Sequence, residues 1–217
     1  FLSGANAQHL AYAHAARFAS GRCRWLAGID ADEFLFSPQG ESLPKTLSDY
    51  EDIPALGVFL RTFGASGHQR QPEGLVMENY VHRLPDTAWE NQQYKSIVRP
   101  ELVRSVISAQ RFHNTLSNIP AHDENRRHLK FSIQHTHTSK RLRINHYATK
   151  SFEELERKIA RRYFWSAAND EKRRMEKQRQ HAVASVSDIL DTDIHRFLPQ
   201  LKARHGYLDT GPAVAAE

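Results

Sequence analysis

The chain of 217 residues has one cysteine, Cys23, and two methionines. A single thiol excludes an intramolecular disulfide and any zinc site built from several cysteines. It fits a reducing compartment without requiring one. No apolar run approaches the ~20 residues that a membrane-spanning helix needs. No Gly-x-x-x-x-Gly-Lys pattern occurs, so the chain carries no P-loop. Internal repeats and low-complexity blocks are absent from the sequence. Residue 1 is Phe, not Met, and no signal peptide is visible, so the start reads as that of a fragment. The length fits one domain with a substantial core. Net charge is +5 and the sequence pI is about 9.4, a balance that favours anionic partners such as phosphates, anionic lipid or nucleic acid.

The densest chemistry lies in Arg24-Trp25-Leu26-Ala27-Gly28-Ile29-Asp30-Ala31-Asp32-Glu33-Phe34-Leu35-Phe36. Residues 25–29 read as a short buried strand, with three carboxylates at its C-terminal end. Ligands of open α/β sheets bind beyond the carboxyl ends of the strands. In an extended segment Asp30 and Asp32, two positions apart, face the same side. Such a pair suits a hard cation like Mg²⁺, held by one or two carboxylates plus substrate phosphates. An EF-hand loop counted from Asp30 has Glu41 at its twelfth position but Leu35 at the sixth, where Gly is required, so that reading fails. A haloacid dehalogenase-like phosphatase also places Asp-x-Asp after an apolar strand and would use Asp30 as nucleophile, but that family has Thr or Val where Phe34 stands. A solvated acidic turn is the plain structural reading.

The longer pattern Trp25-x-x-x-x-Asp30-x-Asp32-Glu33-Phe34-Leu35 resembles the Asp-x-Asp region of glycosyltransferases with the GT-A fold. More narrowly, it is similar to the glycosyltransferase family 2-like group related to family 92. Four further stretches resemble that group in the same order. They are Gln8 with Ala11-Tyr12; Phe63-Gly64-Ala65-Ser66-Gly67-His68; Lys95-Ser96-Ile97-Val98-Arg99-Pro100, followed by His113; and Asn145-His146-Tyr147, followed by Ser151-Phe152-Glu153-Glu154 and Lys158.

The resemblance implies an α/β fold of GT-A-like (Rossmann-like) type, a mixed and mostly parallel sheet flanked by helices. It implies a partial glycosyltransferase domain over residues 1–163, with a helical extension over 164–217 packed on it. The implied reaction moves a sugar from a nucleotide-sugar, by expectation a UDP-sugar, to a hydroxyl acceptor such as a glycan. It would invert the anomeric centre and depend on Mn²⁺ or Mg²⁺. Asp32 would hold the metal and Asp30 either the metal or the ribose, with His113 and His146 as further ligand candidates. Lys95 and Arg99 would contact diphosphate oxygens. Inversion needs a carboxylate base on the acceptor hydroxyl; the choice is Glu78, with Glu33 and Asp86 as alternatives. Family members begin with a longer nucleotide-binding half than the residues ahead of Asp30 provide. The expected setting is polysaccharide or glycan assembly in the cytoplasm, with peripheral membrane contact and no nucleic-acid partner. An alternative of another class is a non-catalytic anion-binding domain working through Lys172, Arg173, Arg174, Lys177 and Arg179.

In chain order, residues 5–20 predict a helix with Leu10, Ala13, His14 and Phe18 on one face, stopped by Gly21. Ser42 reads as an N-cap, opening a helix that runs to Pro54 and buries Leu43, Leu47 and Tyr50. Residues 55–62 and 95–98 read as strands, and 64–68 as a flexible loop that forms part of the site wall. Residues 75–84 are ambiguous, 102–112 mixed, and 114–128 a loop. Residues 131–145 predict a β-hairpin with His135 and His137 on one face. Ser151-x-x-Glu154 is a capping box, opening a helix with the stripe Phe152, Leu155, Ile159 and Tyr163. Helices are also expected over 168–184 and 188–201, before a frayed tail from Thr210.

Overall fold

A computed structural model describes residues 5–108, 112–115, 121–131, 133–135, 137–165 and 170–205. Its elements are α1 (Ala5–Ala19), β1 (Leu26–Ala27), β2 (Glu33–Phe36), α2 (Leu43–Ser48), β3 (Ala55–Thr62), α3 (Val76–Asn79), β4 (His82–Arg83), β5 (Tyr94–Val98), β6 (Val103–Val106), β7 (Phe112–Asn114), β8 (Ala121–His122), β9 (His128–Leu129), β10 (Arg143–His146), α4 (Phe152–Trp165), α5 (Asp170–Val186), β11 (Ile189–Leu190) and α6 (Leu198–His205). Short 3-10 turns cover Trp89–Gln92, Pro100–Leu102 and Asp193–Phe197.

The main sheet runs β1-β5-β3-β10-β2, with β8 beside β3 and β9 beside β8. β3 is parallel to β10 and to β8, and the remaining ladders are antiparallel. The α/β class holds and the sheet is mixed, but it is not mostly parallel. The reason is local: the segment between β3 and β5 doubles back through α3 and β4, so β5 returns beside β3 as an antiparallel neighbour. A parallel pair would require a crossover.

β3 is buried along its whole length, and from Ala55 to Leu60 it presents apolar side chains to both faces. Leu56, Val58 and Leu60 pack with Leu47, Tyr50, Ile53, Ile97, Leu142 and Ile144. Ala55 and Phe59 pack on the other side with Tyr94, Val98, Phe112, Ala121 and Leu129. α2 supplies Leu47 to the first layer and ends at Ser48, short of Pro54. Ser42 precedes it in extended conformation, but its hydroxyl makes no capping bond.

Three expectations need correction here. α1 buries Ala16 and Ala19, while Leu10 and Phe18 are exposed and the Arg22 guanidinium covers the Phe18 ring. Small alanines let the helix approach β6 and the Pro100–Leu102 turn closely. Among the described residues of 131–145 there is no hairpin: the regular strand there is β10, and it pairs with β2 and β3. His137 stacks on Phe59 at 4.7 Å, whereas His135 is exposed. Finally, 188–201 begins as a strand, with β11 antiparallel to β4.

Asp191, just after β11, explains that last change. Its carboxylate accepts from Arg83 Nε (2.7 Å) and from Arg143 Nη2 (2.9 Å); Asp191 and Arg143 are buried and Arg83 is partly so. This ion cluster fastens the chain after α5 onto β4 and β10. Farther on, Ile194 joins Phe36, Phe63, Met77, Tyr80 and Tyr147, and Ala184 of α5 packs on Ala65, Leu155 and Ile159. The side chains of Tyr163, Lys172, Arg173 and Arg174, and the whole tail from Thr210, lie outside the described residues. Among the described residues, no helix is long and apolar enough to cross a membrane.

Candidate active-site cleft

The parallel strands β3 and β10 end side by side at Thr62 and His146. β2 is antiparallel to β10, so Glu33 at its start lies opposite His146. The acid cluster therefore reaches the carboxyl edge of the parallel pair, where α/β sheets place ligands. The local geometry differs from the extended segment expected. Residues 30–33 form a turn, in which the Glu33 amide donates to the Asp30 carbonyl (3.0 Å) and the Asp30 amide to Glu33 Oε2 (2.9 Å). The Tyr147 amide donates to the Asp32 carbonyl (2.9 Å) and anchors the turn to the chain after β10.

Within this turn each aspartate meets its own lysine. Lys95 Nζ lies 2.9 Å from Asp30 Oδ2 and 3.3 Å from Glu33 Oε2. Lys158 Nζ, from α4, donates to Asp32 Oδ2 (3.0 Å) and to the Ala148 carbonyl (2.7 Å). Burial works against the Asp32 anion, but the Lys158 hydrogen bond and charge, with help from His146, hold its carboxyl below the usual range. Burial pushes the Glu33 carboxyl up, and the Asp30 charge adds to that effect. His146 Nε2 stands 3.8 Å from Asp32 Oδ1. Burial, joined by the Lys158 and Lys95 charges and opposed by Asp32, pushes the imidazole down to about 4, so the ring is neutral near pH 7.

Two cavities meet at these residues. The larger, about 640 Å³, is lined by Asp32, Gln71, Glu154, Arg157 and Lys158 among others. The smaller, about 230 Å³, is lined by Thr62, Glu90, His146, Lys158, Arg179 and Gln180 among others. Ala148, Thr149 and Lys158 belong to both. The start of α4 forms the floor of the larger one. Its capping box is present as expected: Ser151 Oγ accepts from the Glu154 amide (3.2 Å), and Glu154 Oε2 accepts from the Ser151 amide (3.3 Å) and hydroxyl (2.8 Å).

The family model of glycosyltransferase family 92 matches residues 4–192. The chain belongs to glycosyltransferase family 92. A family 92 protein of Ricinus communis is 32% identical over 163 residues, covering 72% of this chain and 26% of the relative. A family 92 protein of Oryza sativa subsp. japonica is 31% identical over 160 residues, covering 71% of this chain and 24% of the relative. This family 92 chain thus spans about a quarter of the length of the relatives it matches.

Set on the family 92 fold, the remaining sequence-chosen residues separate. Lys95 belongs to the cleft cluster, but Arg99 stands beyond the other end of β5, where it pairs with Glu101 (2.7 Å) and donates to the Glu51 carbonyl (2.6 Å). His113 is on β7, which pairs with β6 apart from the main sheet, and its side chain lies outside the described residues. Glu78 lines neither cavity; Lys202 of α6 holds its carboxylate at 2.7 Å and keeps it ionised. Asp86, an alternative to it, is engaged by Arg83 (2.7 Å) and Arg61 (3.2 Å). Among the described residues, no group of three or more His, Cys, Asp or Glu side chains is arranged to hold a metal.

The Gly-rich loop of this family 92 chain is braced from within. Ser66 Oγ accepts from the Val81 and His82 amides, both at 2.9 Å, with Ser66 and Gly67 at positive φ. Gly64 packs against Ser187 and lies where a Cβ would come 2.8 Å from the Val183 carbonyl. The loop is therefore a rigid joint between β3, β4 and α5, and its neighbour Gln71 reaches the larger cavity. Of the basic stretch, Lys177 pairs with Glu156 (3.1 Å) and Arg179 covers the Trp89 ring. Sequence reading missed Glu90, Thr62 and Arg179 as cleft residues, since nothing in their spacing points to one place. For Lys158 a signal existed: it lies one helical turn beyond Glu154, on the same face of α4.

Proposed function

We propose that the cleft transfers a sugar from a nucleotide-sugar, a UDP-sugar by preference, to a hydroxyl acceptor. The observation that carries this reading is the convergence of Asp30, Asp32, Lys95, His146 and Lys158 at the carboxyl edge of β3 and β10. Family 92 membership supports the reaction class, and inversion follows the expectation for the family 2-like group. The phosphatase alternative is set aside, since the family match accounts for the Asp-x-Asp together with its flanking stretches.

Two residues fit a divalent cation. A neutral imidazole nitrogen 3.8 Å from a carboxylate oxygen is beyond hydrogen-bond range and leaves room for a shared cation. Asp32 and His146 would hold Mn²⁺ or Mg²⁺, with Asp30 on the same ion or on the ribose. The ion would neutralise charge that builds on the departing nucleoside diphosphate. The protein's own groups do the rest. Lys95 orients Asp30, Glu33 clamps the turn through the Asp30 amide, and the Tyr147 amide holds Asp32 in place. The acceptor hydroxyl must give its proton to a carboxylate within hydrogen-bond reach. Glu154 lines the larger cavity and Glu90 the smaller, and either is better placed for that role than Glu78.

The test is calorimetric titration with UDP, with and without Mn²⁺, on the wild type and on Asp30→Ala/Asp32→Ala. Binding that requires both the metal and the carboxylates is the expected result. UDP binding of equal strength in the double variant would refute the reading.

A further inference from the structure

Among the described residues, Lys158 is the one whose charged end touches the acid cluster while its side chain lines both cavities. Its described partners are the Asp32 carboxylate and the Ala148 carbonyl, and the side chain remains about a third exposed, at 35%. A lysine stem is flexible, and its ammonium is a point charge that can serve different anions without a fixed geometry. It occupies Asp32 Oδ2, while Asp32 Oδ1 faces the His146 imidazole. A divalent ion taken up by Asp32 would place two positive charges and then a third beside one carboxylate. That arrangement is unfavourable unless the lysine leaves or an anion arrives.

We propose that Lys158 is an exchangeable counter-ion. It holds Asp32 when the cleft is empty and swings to the donor's diphosphate when a divalent cation takes over Asp32. The proposal rests on the transferase reading above and goes beyond it by assigning a ligand for the diphosphate and an order of charge exchange. The lysine then opposes metal binding in the absence of nucleotide and favours nucleotide binding once the metal is present. Metal and nucleoside diphosphate thereby bind with positive coupling, because each removes a charge conflict that the other creates.

The experiment measures Mn²⁺ affinity alone, from the signal of the free ion in electron paramagnetic resonance, and UDP affinity at saturating Mn²⁺, by calorimetry. Lys158→Met removes the competing charge and keeps the stem. It is expected to bind Mn²⁺ alone about tenfold tighter and UDP about tenfold weaker, opposite signs that a merely structural role does not produce. Lys158→Arg keeps a counter-ion on Asp32, and its fork grips a carboxylate more firmly. It is expected to fold like the wild type and to bind Mn²⁺ alone more weakly. Both affinities unchanged in Lys158→Met, or both weakened together, would overturn the proposal while leaving the transferase reading intact. If Lys158→Met does not fold, a Lys158→Arg chain that binds Mn²⁺ alone as well as the wild type does the same. A wild-type chain that binds neither Mn²⁺ nor UDP would overturn both.

Discussion

Replacing Asp191 by Asn tests whether the buried ion cluster, and not helix packing alone, secures the C-terminal segment. The asparagine keeps the shape and removes the charge. Arg83 and Arg143 then lose the only buried carboxylate described between them, while keeping the more exposed Asp86 and Asp193 at 2.7 and 3.1 Å. Breaking a buried pair from one side costs about 3–5 kcal/mol. The surviving exposed partners place this case near the lower end, about 3 kcal/mol. For a domain of this size, each kcal/mol moves the thermal midpoint by roughly 2–4 °C. A drop of about 6–12 °C is therefore expected in thermal unfolding followed by circular dichroism at pH 7. Charge on Asp191 should also shape the acid limb. Burial opposes the anion, but Arg143 and Arg83 lower its pKa overall. Its contribution is thus present above the unfolded carboxyl pKa and is lost as pH falls through the lower folded value. The variant should lose that part of the acid dependence. A midpoint within 2 °C of the wild type, with an unchanged acid limb, would refute the argument.

Gly64→Ala should destabilise the chain by about 1–3 kcal/mol, because the new methyl group meets Ser187 and the Val183 carbonyl; urea denaturation reads this directly, and no loss would mean that the joint gives way easily. Burial in the fold pushes the His146 imidazole down from its ordinary 6.5 to about 4. Between those values the unfolded chain binds the extra proton, so stability falls as pH falls, by up to about 1.4 kcal/mol per pH unit. His146→Asn should flatten the urea-derived stability curve over that window, and parallel curves for the two proteins would contradict the assignment. Ser151→Ala should cost about 1 kcal/mol through loss of the cap on α4; a stability unchanged in chemical denaturation would show that the Tyr80 hydroxyl on Glu154 suffices.

Where one segment settles its own structure, the sequence was readable. Residues 55–60 carry apolar side chains on both faces, and the central strand is where they lie. Ser151 and Glu154 bond each other as their spacing requires. Readings failed where a distant partner decides. The Asp30–Glu33 turn exists because Glu33 reaches back to an amide, which cancels the alternation on which a shared face for Asp30 and Asp32 relied. Residues 189–190 became a strand because Arg83 and Arg143 draw Asp191 to the sheet. His137 left the face it was to share with His135 because the Phe59 ring offered a stacking partner. Of the residues that meet in the candidate cleft, Asp30, Asp32, Lys95, His146 and Lys158 all stand in the motif stretches of the sequence. The pairing of each aspartate with its own lysine was not legible there, because Lys158 and Asp32 are 126 positions apart.

The same separation bears on how the protein comes into being. β2 carries the apolar stretch Phe34-Leu35-Phe36, and its described partner strand is β10. A ribosome delivers β2 about a hundred residues before β10, so over that interval the strand lacks this partner and is an edge of the kind that invites aggregation. Long-range pairing of this sort also folds slowly, since a large loop must close before any contact rewards it. The cleft can form only after that closure, because α4 follows β10. In a refolding experiment, closure of the cleft should therefore return later than helical signal.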